Sequence, residues 1–367
     1  MDRQTIMEIN VDDFKDNYNE LNRLALKKGK KVLPVLKANG YGTYVNKCPE
    51  LISQFDIIGL AMCLEAIELR KNGYSNDILI LNEPYKEDID NIIKYNLIVG
   101  VCSTEFINAI GTINKPAKMF IEIETGMGRT GVKLKDLSQF VKLIKKYPNI
   151  EVIGCYTHFS VADSFDNDDM DYTIRQIQDF DKAVKVLKEA FPNIKYFSSE
   201  ASDGFLRFND EEANLVRPGL ILYGYEPYKG AFNDIDLKPI AKLKSKISYL
   251  KEINENVCIS YGRTFKSSKK MKVATVGIGY ADGLPRALSN KGEVVINGKK
   301  SQILGTICMD SFMCDVTDID CNEGDDVYIW DNDLVTIEDI AEKCNTINYE
   351  IISRISDRVP RKFVTKD

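Results

Sequence analysis

Histidine is nearly absent from this chain: His158 is the only one among 367 residues. A histidine-based metal cluster is therefore excluded, and acid–base chemistry falls to lysine, tyrosine, arginine or a bound cofactor. Paired cysteines are missing too. The nine cysteines are odd in number, scattered and without a CxxC pair, which fits reduced thiols and suggests no metal site. There is no basic excess either. The 49 Lys and Arg stand against 55 Asp and Glu for a net charge of −6, which argues against nucleic-acid or anionic-membrane partners, because either needs a concentrated basic face. No apolar stretch approaches the length of a membrane span, and the opening MDRQTIMEINVDD is too polar for a signal peptide, so a cytoplasmic location is expected.

What is present is an alternation of short apolar runs and helical patterns. The length exceeds what one compact core usually holds, so two domains are the default. Residues 11 to 28 show helical spacing, with Phe14, Tyr18, Leu21 and Leu24 on the pattern and Gly29 ending it. Runs that read as buried strands follow at Val32 to Leu36, Ile57 to Met62, Ile78 to Leu81, Ile98 to Cys102, Lys118 to Glu122, Val152 to Tyr156, Lys195 to Phe197 and Leu220 to Tyr223. Helical patterns such as LEAIELRKNG and IRQIQDFDKAVKVLKEAF lie between most of them. The fold class is therefore α/β: a (β/α)8 barrel over residues 1–235. After the turn-rich segment EPYKGAFNDIDLKP the texture changes to short alternating strands. Asn297-Gly298 marks a hairpin, and VTIEDIAEKC one short helix. A smaller, mostly-β domain is expected over residues 236–367.

The chemistry-bearing residues gather after the expected strands, at the end of a barrel where active sites are built. Lys37 and Tyr41 follow the first strand in VLPVLKANGYG, Arg129 sits in GMGRTGV after the fifth, and His158 follows the sixth. The seventh leads into FSSEAS, and the eighth is entered through VRPGLILYG with Arg217. A lysine able to form a Schiff base, a glycine-rich phosphate cradle near the last strands and a group for a pyridine nitrogen together describe pyridoxal 5′-phosphate.

KANGYG at Lys37, TGMGRTGV at Arg129, THF at His158, RPGLILYG at Arg217, SYGRTF at Tyr261, VGIGYADG at Tyr280, ICMDSFMCDV at Met309 and RVPRKF near the end resemble the alanine racemase family in order and spacing, from about residue 8 to 363. The resemblance implies a pyridoxal-phosphate-dependent, homodimeric racemase making D-alanine for peptidoglycan. Lys37 would bind the cofactor covalently and, once substrate displaces it, act as one of two bases. Tyr261, reaching over from the second subunit, would be the other, since racemisation removes a proton from one face of Cα and returns one to the opposite face. His158 would stack on the cofactor ring and link Tyr261 to Arg217. Arg217 would face the ring nitrogen, where it cannot accept a proton and so favours prompt reprotonation at Cα.

For the phosphate the matched positions are Tyr41, Ser199, the backbone of Gly219 and Leu220, and Tyr349. For the substrate carboxylate they are Arg129 and the backbone N–H of Met309, with Asp310 beside it as support. Asp163, Tyr280 and Arg286 match an access channel. Tyr349, where related serine racemases carry a smaller polar residue, favours alanine over serine.

The chain departs from its relatives at several points. Glu122 stands where many carry a carbamylated lysine, and is expected to supply the negative charge that orients Arg129. FSSEAS lacks the usual asparagine before the phosphate serine, the histidine that often backs the arginine is replaced around Lys195 and Tyr196, and the channel arginine is Thr306. A serine or broad-specificity racemase, a fold-related decarboxylase and a non-catalytic cofactor-binding protein stay open as alternatives.

Overall fold

The structure is a computed structural model that describes residues 3–366. It divides into two compact units: one comprises Phe14–Gly40 and Val45–Lys238, the other the residues up to Asp13, Tyr41–Tyr44 and the chain from Pro239 onward.

In the first unit six strands, Ile57–Leu60, Asp77–Ile80, Ile98–Val101, Ala117–Glu124, Ile150–Tyr156 and Tyr196–Ser198, pair in parallel in that order. Two short pieces close the ring. Lys31–Val32 pairs in parallel with Leu215–Val216, Val35 bridges Gly59, and Ala201 bridges Arg217. Ile57–Leu60 and Ile98–Val101 are buried at every position, which is why a closed parallel sheet reads as unbroken apolar runs rather than alternation.

Small residues face large ones inside this ring. A Cβ on Gly154 would come within 2.3 Å of the Phe120 ring, and Phe120 is itself fully buried and stacked on Tyr196 at 5.9 Å. Gly154→Ala is therefore expected to cost about 1–3 kcal/mol through overpacking, seen as a lower thermal midpoint with the fold retained.

Two of the expected barrel strands require correction. Leu220–Tyr223 is not the eighth strand but a buried 3-10 turn, and the strand is Leu215–Val216. A short apolar run cannot by periodicity alone be told apart as strand or buried turn. Here Pro218 has no N–H to give a ladder and Gly219 leaves the extended region at φ −109°, ψ −96°. Arg217 consequently leaves the last strand instead of preceding it. The first strand is also shorter than Val32 to Leu36: its ladder covers Lys31–Val32, and Pro34, unable to donate, contributes only its carbonyl, which accepts from Gly59 N–H at 2.9 Å.

The second unit is built on an eight-stranded sheet. Its axis is the long strand Ala241–Ile253, paired over its first half with Asp326–Trp330 and over its second half with Met271–Val276, with an irregularity between Ile247 and Tyr249. Met271–Val276, Phe312–Asp315, Lys299–Leu304, Glu293–Ile296 and Asp326–Trp330 return to it in sequence. Ile253, Ile259, Met271, Val273 and Leu304 pack one core cluster, with Phe265 and Met313 against it. Asn297 and Gly298 take positive φ of 48° and 74° between the paired strands, as a two-residue hairpin turn requires. The strand Ile6–Asn10, placed by sequence in the barrel domain, pairs instead with Ala241–Ile253 and Arg361–Val364. Its alternation explains this: Met7 and Ile9 are fully buried while their neighbours are partly exposed.

Candidate active site

In the barrel unit Lys37, Arg129, His158 and Arg217 all follow the carboxyl ends of parallel strands. Their electrostatic fields overlap. Burial and the positive charges of Arg129 and Arg217 lower the Lys37 ammonium below its usual range, against an opposing pull from Glu65. Burial also brings His158 down to about 3, with Arg217, Arg129 and Lys37 adding to the shift. The imidazole is therefore neutral, and the Lys37 ammonium loses its proton more easily than that of a free lysine. The chain leaves Lys37 through a left-handed turn, with φ of 54° at Ala38, 55° at Asn39 and 62° at Gly40. Only the glycine accepts that region freely; each of the other two costs roughly 1–2 kcal/mol.

Arg217 is 4% exposed. One guanidinium nitrogen donates to Ser198 O at 2.6 Å and Ser198 Oγ at 2.5 Å, and another to Thr157 O at 2.6 Å. These partners are neutral. Burial lowers the guanidinium to about 10, with Tyr156 and Glu122 pulling it back up, so it stays charged at neutral pH. Arg129 is half exposed, and its guanidinium stands 3.9 Å from Glu122 Oε1. Glu122 is 3% exposed and accepts from Thr130 Oγ1 at 2.9 Å. Desolvation raises its pKa, against the hydrogen bond from Thr130 and the charges of Arg129 and Arg217. Asp163 is exposed in the loop beyond His158.

Ser199 and Ser202, two of the three serines of FSSEAS, part company. Ser199, the residue matched to the phosphate, is fully buried and donates to Asp210 Oδ2 at 2.5 Å. Ser202, which the sequence reading passed over, accepts the Gly219 N–H at 3.0 Å. Gly219 and Leu220 are both buried at the start of the turn Leu220–Tyr223. The available signal was position: Ser202 opens the helix Ser202–Arg207 after the seventh strand, whereas Ser199 directly follows the strand Tyr196–Ser198.

In the β-rich unit Tyr261 is 70% exposed and Met309 52% exposed. Their loops are tied together: Thr306 Oγ1 donates to Tyr261 O at 3.0 Å, and Ser260 Oγ donates to Thr306 O. The backbone N–H of Tyr280 reaches Cys308 O at 3.1 Å, and that of Ala281 reaches Met309 O at 3.0 Å. Asp310 pairs with Arg358 at 2.6 Å, which also approaches the buried Asp282 at 3.4 Å. Tyr280 and Arg286 are exposed. Tyr41, buried, has its ring centroid 6.3 Å from that of Tyr349.

Residues 9–227 match the alanine racemase N-terminal domain and residues 240–363 the alanine racemase C-terminal domain. The chain belongs to the alanine racemase family. Among curated alanine racemases, that of Halothermothrix orenii is 37% identical, covering 99% of this chain and 98% of its own. That of Methanococcus maripaludis is also 37% identical, covering 97% and 98%. A solved alanine racemase from Clostridium difficile superposes with a TM-score of 0.91 at 34% identity, covering 100% of this chain and 97% of its own. One from Bacillus anthracis gives 0.89 at 29%, covering 99% and 96%. The alanine racemase family is thus matched in both halves. No helix among the described residues is long and apolar enough to cross a membrane.

Proposed function

We propose that this protein interconverts L- and D-alanine, using pyridoxal 5′-phosphate held at the carboxyl ends of the barrel strands. The observation that carries the reading is Arg217: a buried, charged guanidinium whose bonds go to neutral oxygens, with the half-buried amine of Lys37 in its field. That donor set fits a ring nitrogen that accepts but is not protonated, because a guanidinium cannot give up its proton at neutral pH. Ser202 fits the phosphate, since its hydroxyl accepts from Gly219 and keeps its own proton to donate to an anion. Ser202, not Ser199, is therefore assigned to the phosphate with the N–H groups of Gly219 and Leu220.

When bound, the cofactor acts as an electron sink that makes the substrate Cα–H acidic. Lys37 Nζ takes or gives the proton on one face. Tyr261 Oη, supplied by a second copy of the chain, does so on the other, and its exposure suits that role. Arg129 and the Met309 N–H bind the carboxylate, with Glu122 opposite Arg129. Asp163, Tyr280 and Arg286 line the approach. The β-rich domain, 236–367, thus completes its partner's site, and the working unit is a homodimer. Tyr349 restricts the side chain to about a methyl group. Serine differs only by an added hydroxyl, so weak turnover of serine accompanies that of alanine.

A coupled assay on L-alanine, D-alanine and L-serine tests this. Tyr261→Phe is expected to lower kcat for alanine by roughly 10²–10⁴-fold, with sedimentation showing the dimer intact. An active monomer would overturn the scheme. Because His158 is neutral in the fold, the pH–rate profile is expected to show no ionisation from it near 6.5. The same depression bears on stability. The folded value of about 3 lies below the unfolded one, so the stabilisation is present above pH ~6.5 and is lost as pH falls toward 3. Acid unfolding of His158→Gln, followed by circular dichroism, is expected at lower pH than in the parent.

A further inference from the structure

The turn that follows Lys37 is held by a residue without a role in the scheme above. Ala38 and Asn39 occupy the left-handed region, which L-residues keep only when their surroundings hold them there. Within the turn the Gly40 N–H goes to Leu36 O at 2.9 Å. The Ala38 N–H goes to Glu65 Oε1 at 2.6 Å. The other oxygen, Glu65 Oε2, accepts from Ala61 N–H at 2.9 Å and Met62 N–H at 3.1 Å.

Ala61 and Met62 directly follow the strand Ile57–Leu60. That strand exchanges bonds with the first: Leu36 N–H reaches Gly59 O, and Gly59 N–H reaches Pro34 O, both at 2.9 Å. Glu65 therefore carries the tie between these strands past the end of their ladder, onto the residue next to Lys37. Helix capping accounts for one oxygen only. Glu65 stands at the N3 position of the helix Cys63–Lys71, where a glutamate returns to the backbone N–H of the cap, here Met62. Capping asks nothing of Oε1, which is spent on Ala38.

The charge matters as well as the bond. Arg129 and Arg217 favour a neutral Lys37 amine, and Glu65 favours the ammonium. His158, which feels the Lys37 charge, is neutral.

We infer that Glu65 is a positioning residue for Lys37: its carboxylate locks the left-handed turn after the lysine and sets a negative charge against the amine. The inference rests on the reading of Lys37 as an acid–base group. A proton acceptor that must return a proton to one face of a carbon gains from both effects, since the amine needs a fixed direction and an ionisation within working range.

Glu65→Ala and Glu65→Gln test it. In the racemase assay Glu65→Ala is expected to lower kcat roughly 10- to 100-fold while the KM for L-alanine stays within about threefold. The Lys37 ionisation moves to lower pH, because the two arginines then act unopposed. Glu65→Gln keeps the shape and one acceptor oxygen, so it retains more of kcat but shows the same downward shift. The second readout is competitive acetylation of the cofactor-free protein across pH, read by mass spectrometry at the Lys37 peptide. It shows the shift without any turnover. An unchanged acetylation profile in Glu65→Gln overturns the inference and leaves Glu65 a helix cap, and this variant decides the matter if Glu65→Ala does not fold. Absence of racemase activity in the parent protein would instead overturn the proposed function, while acetylation would still report on Glu65.

Discussion

Lys37→Ala is expected to abolish racemisation, with kcat falling by at least roughly 10³-fold. Two losses combine. The covalent tether disappears, so the cofactor is retained only by the phosphate donors and Arg217 and is expected to dialyse out of the variant far faster than from the parent. The base on one face disappears too, and nothing else among the strand-end residues replaces it: His158 is neutral but buried among positive groups, and Arg217 holds its proton. A small primary amine added to the assay is expected to restore a minor fraction of activity, because it supplies the missing base without the missing geometry. Undiminished turnover in Lys37→Ala would remove Lys37 from the mechanism. Loss of activity with cofactor retained as tightly as in the parent would remove its tethering role alone.

The second large effect is structural. Lys30 is 2% exposed and Glu200 fully buried, and the ammonium lies 2.7 Å from both carboxylate oxygens. Glu200 Oε1 also accepts the Asp210 N–H at 2.8 Å, and the Glu200 carbonyl accepts the Arg217 N–H at 2.9 Å. Lys30→Met would leave a carboxylate buried without its cation, at a cost of about 3–5 kcal/mol. For a domain of this size each kcal/mol is worth about 2–4 °C, so the thermal midpoint is expected to fall by roughly 10 °C. Adding Glu200→Gln removes the stranded charge and keeps an acceptor for Asp210. The double variant is therefore expected to recover most of the loss, although each single substitution is severe. Because Glu200 also receives the Arg217 backbone, Lys30→Met is expected to weaken cofactor retention as well. If the double variant were no more stable than Lys30→Met, burial of the unpaired charge would not be the cause.

Glu122→Gln gives a smaller effect through Arg129. Without the charge opposite it, the guanidinium is less confined, and the KM for alanine is expected to rise with kcat little changed. Unchanged substrate binding and turnover would mean that Glu122 does not orient Arg129.

The sequence by itself determined the alternation that builds the barrel, the change to short strands after residue 236, and the hairpin at Asn297-Gly298, because these depend on local periodicity and on turn chemistry within a few residues. It also placed Lys37, Arg129 and His158 at strand ends. Only the tertiary structure decided which serine meets the Gly219 N–H, since Ser199 and Ser202 lie three positions apart in one segment and differ only in what they face. The same holds for the strand that bears Arg217, where a buried apolar run at Leu220–Tyr223 looked like the better ladder until Pro218 and Gly219 turned the chain. Lys30 and Glu200, and Glu65 and Ala38, were invisible for one reason: each partnership spans residues distant in the chain, and a charge in a sequence carries no sign of whether it will be buried. Periodicity records which face of an element is apolar. What a particular polar side chain meets is fixed only when the strands close.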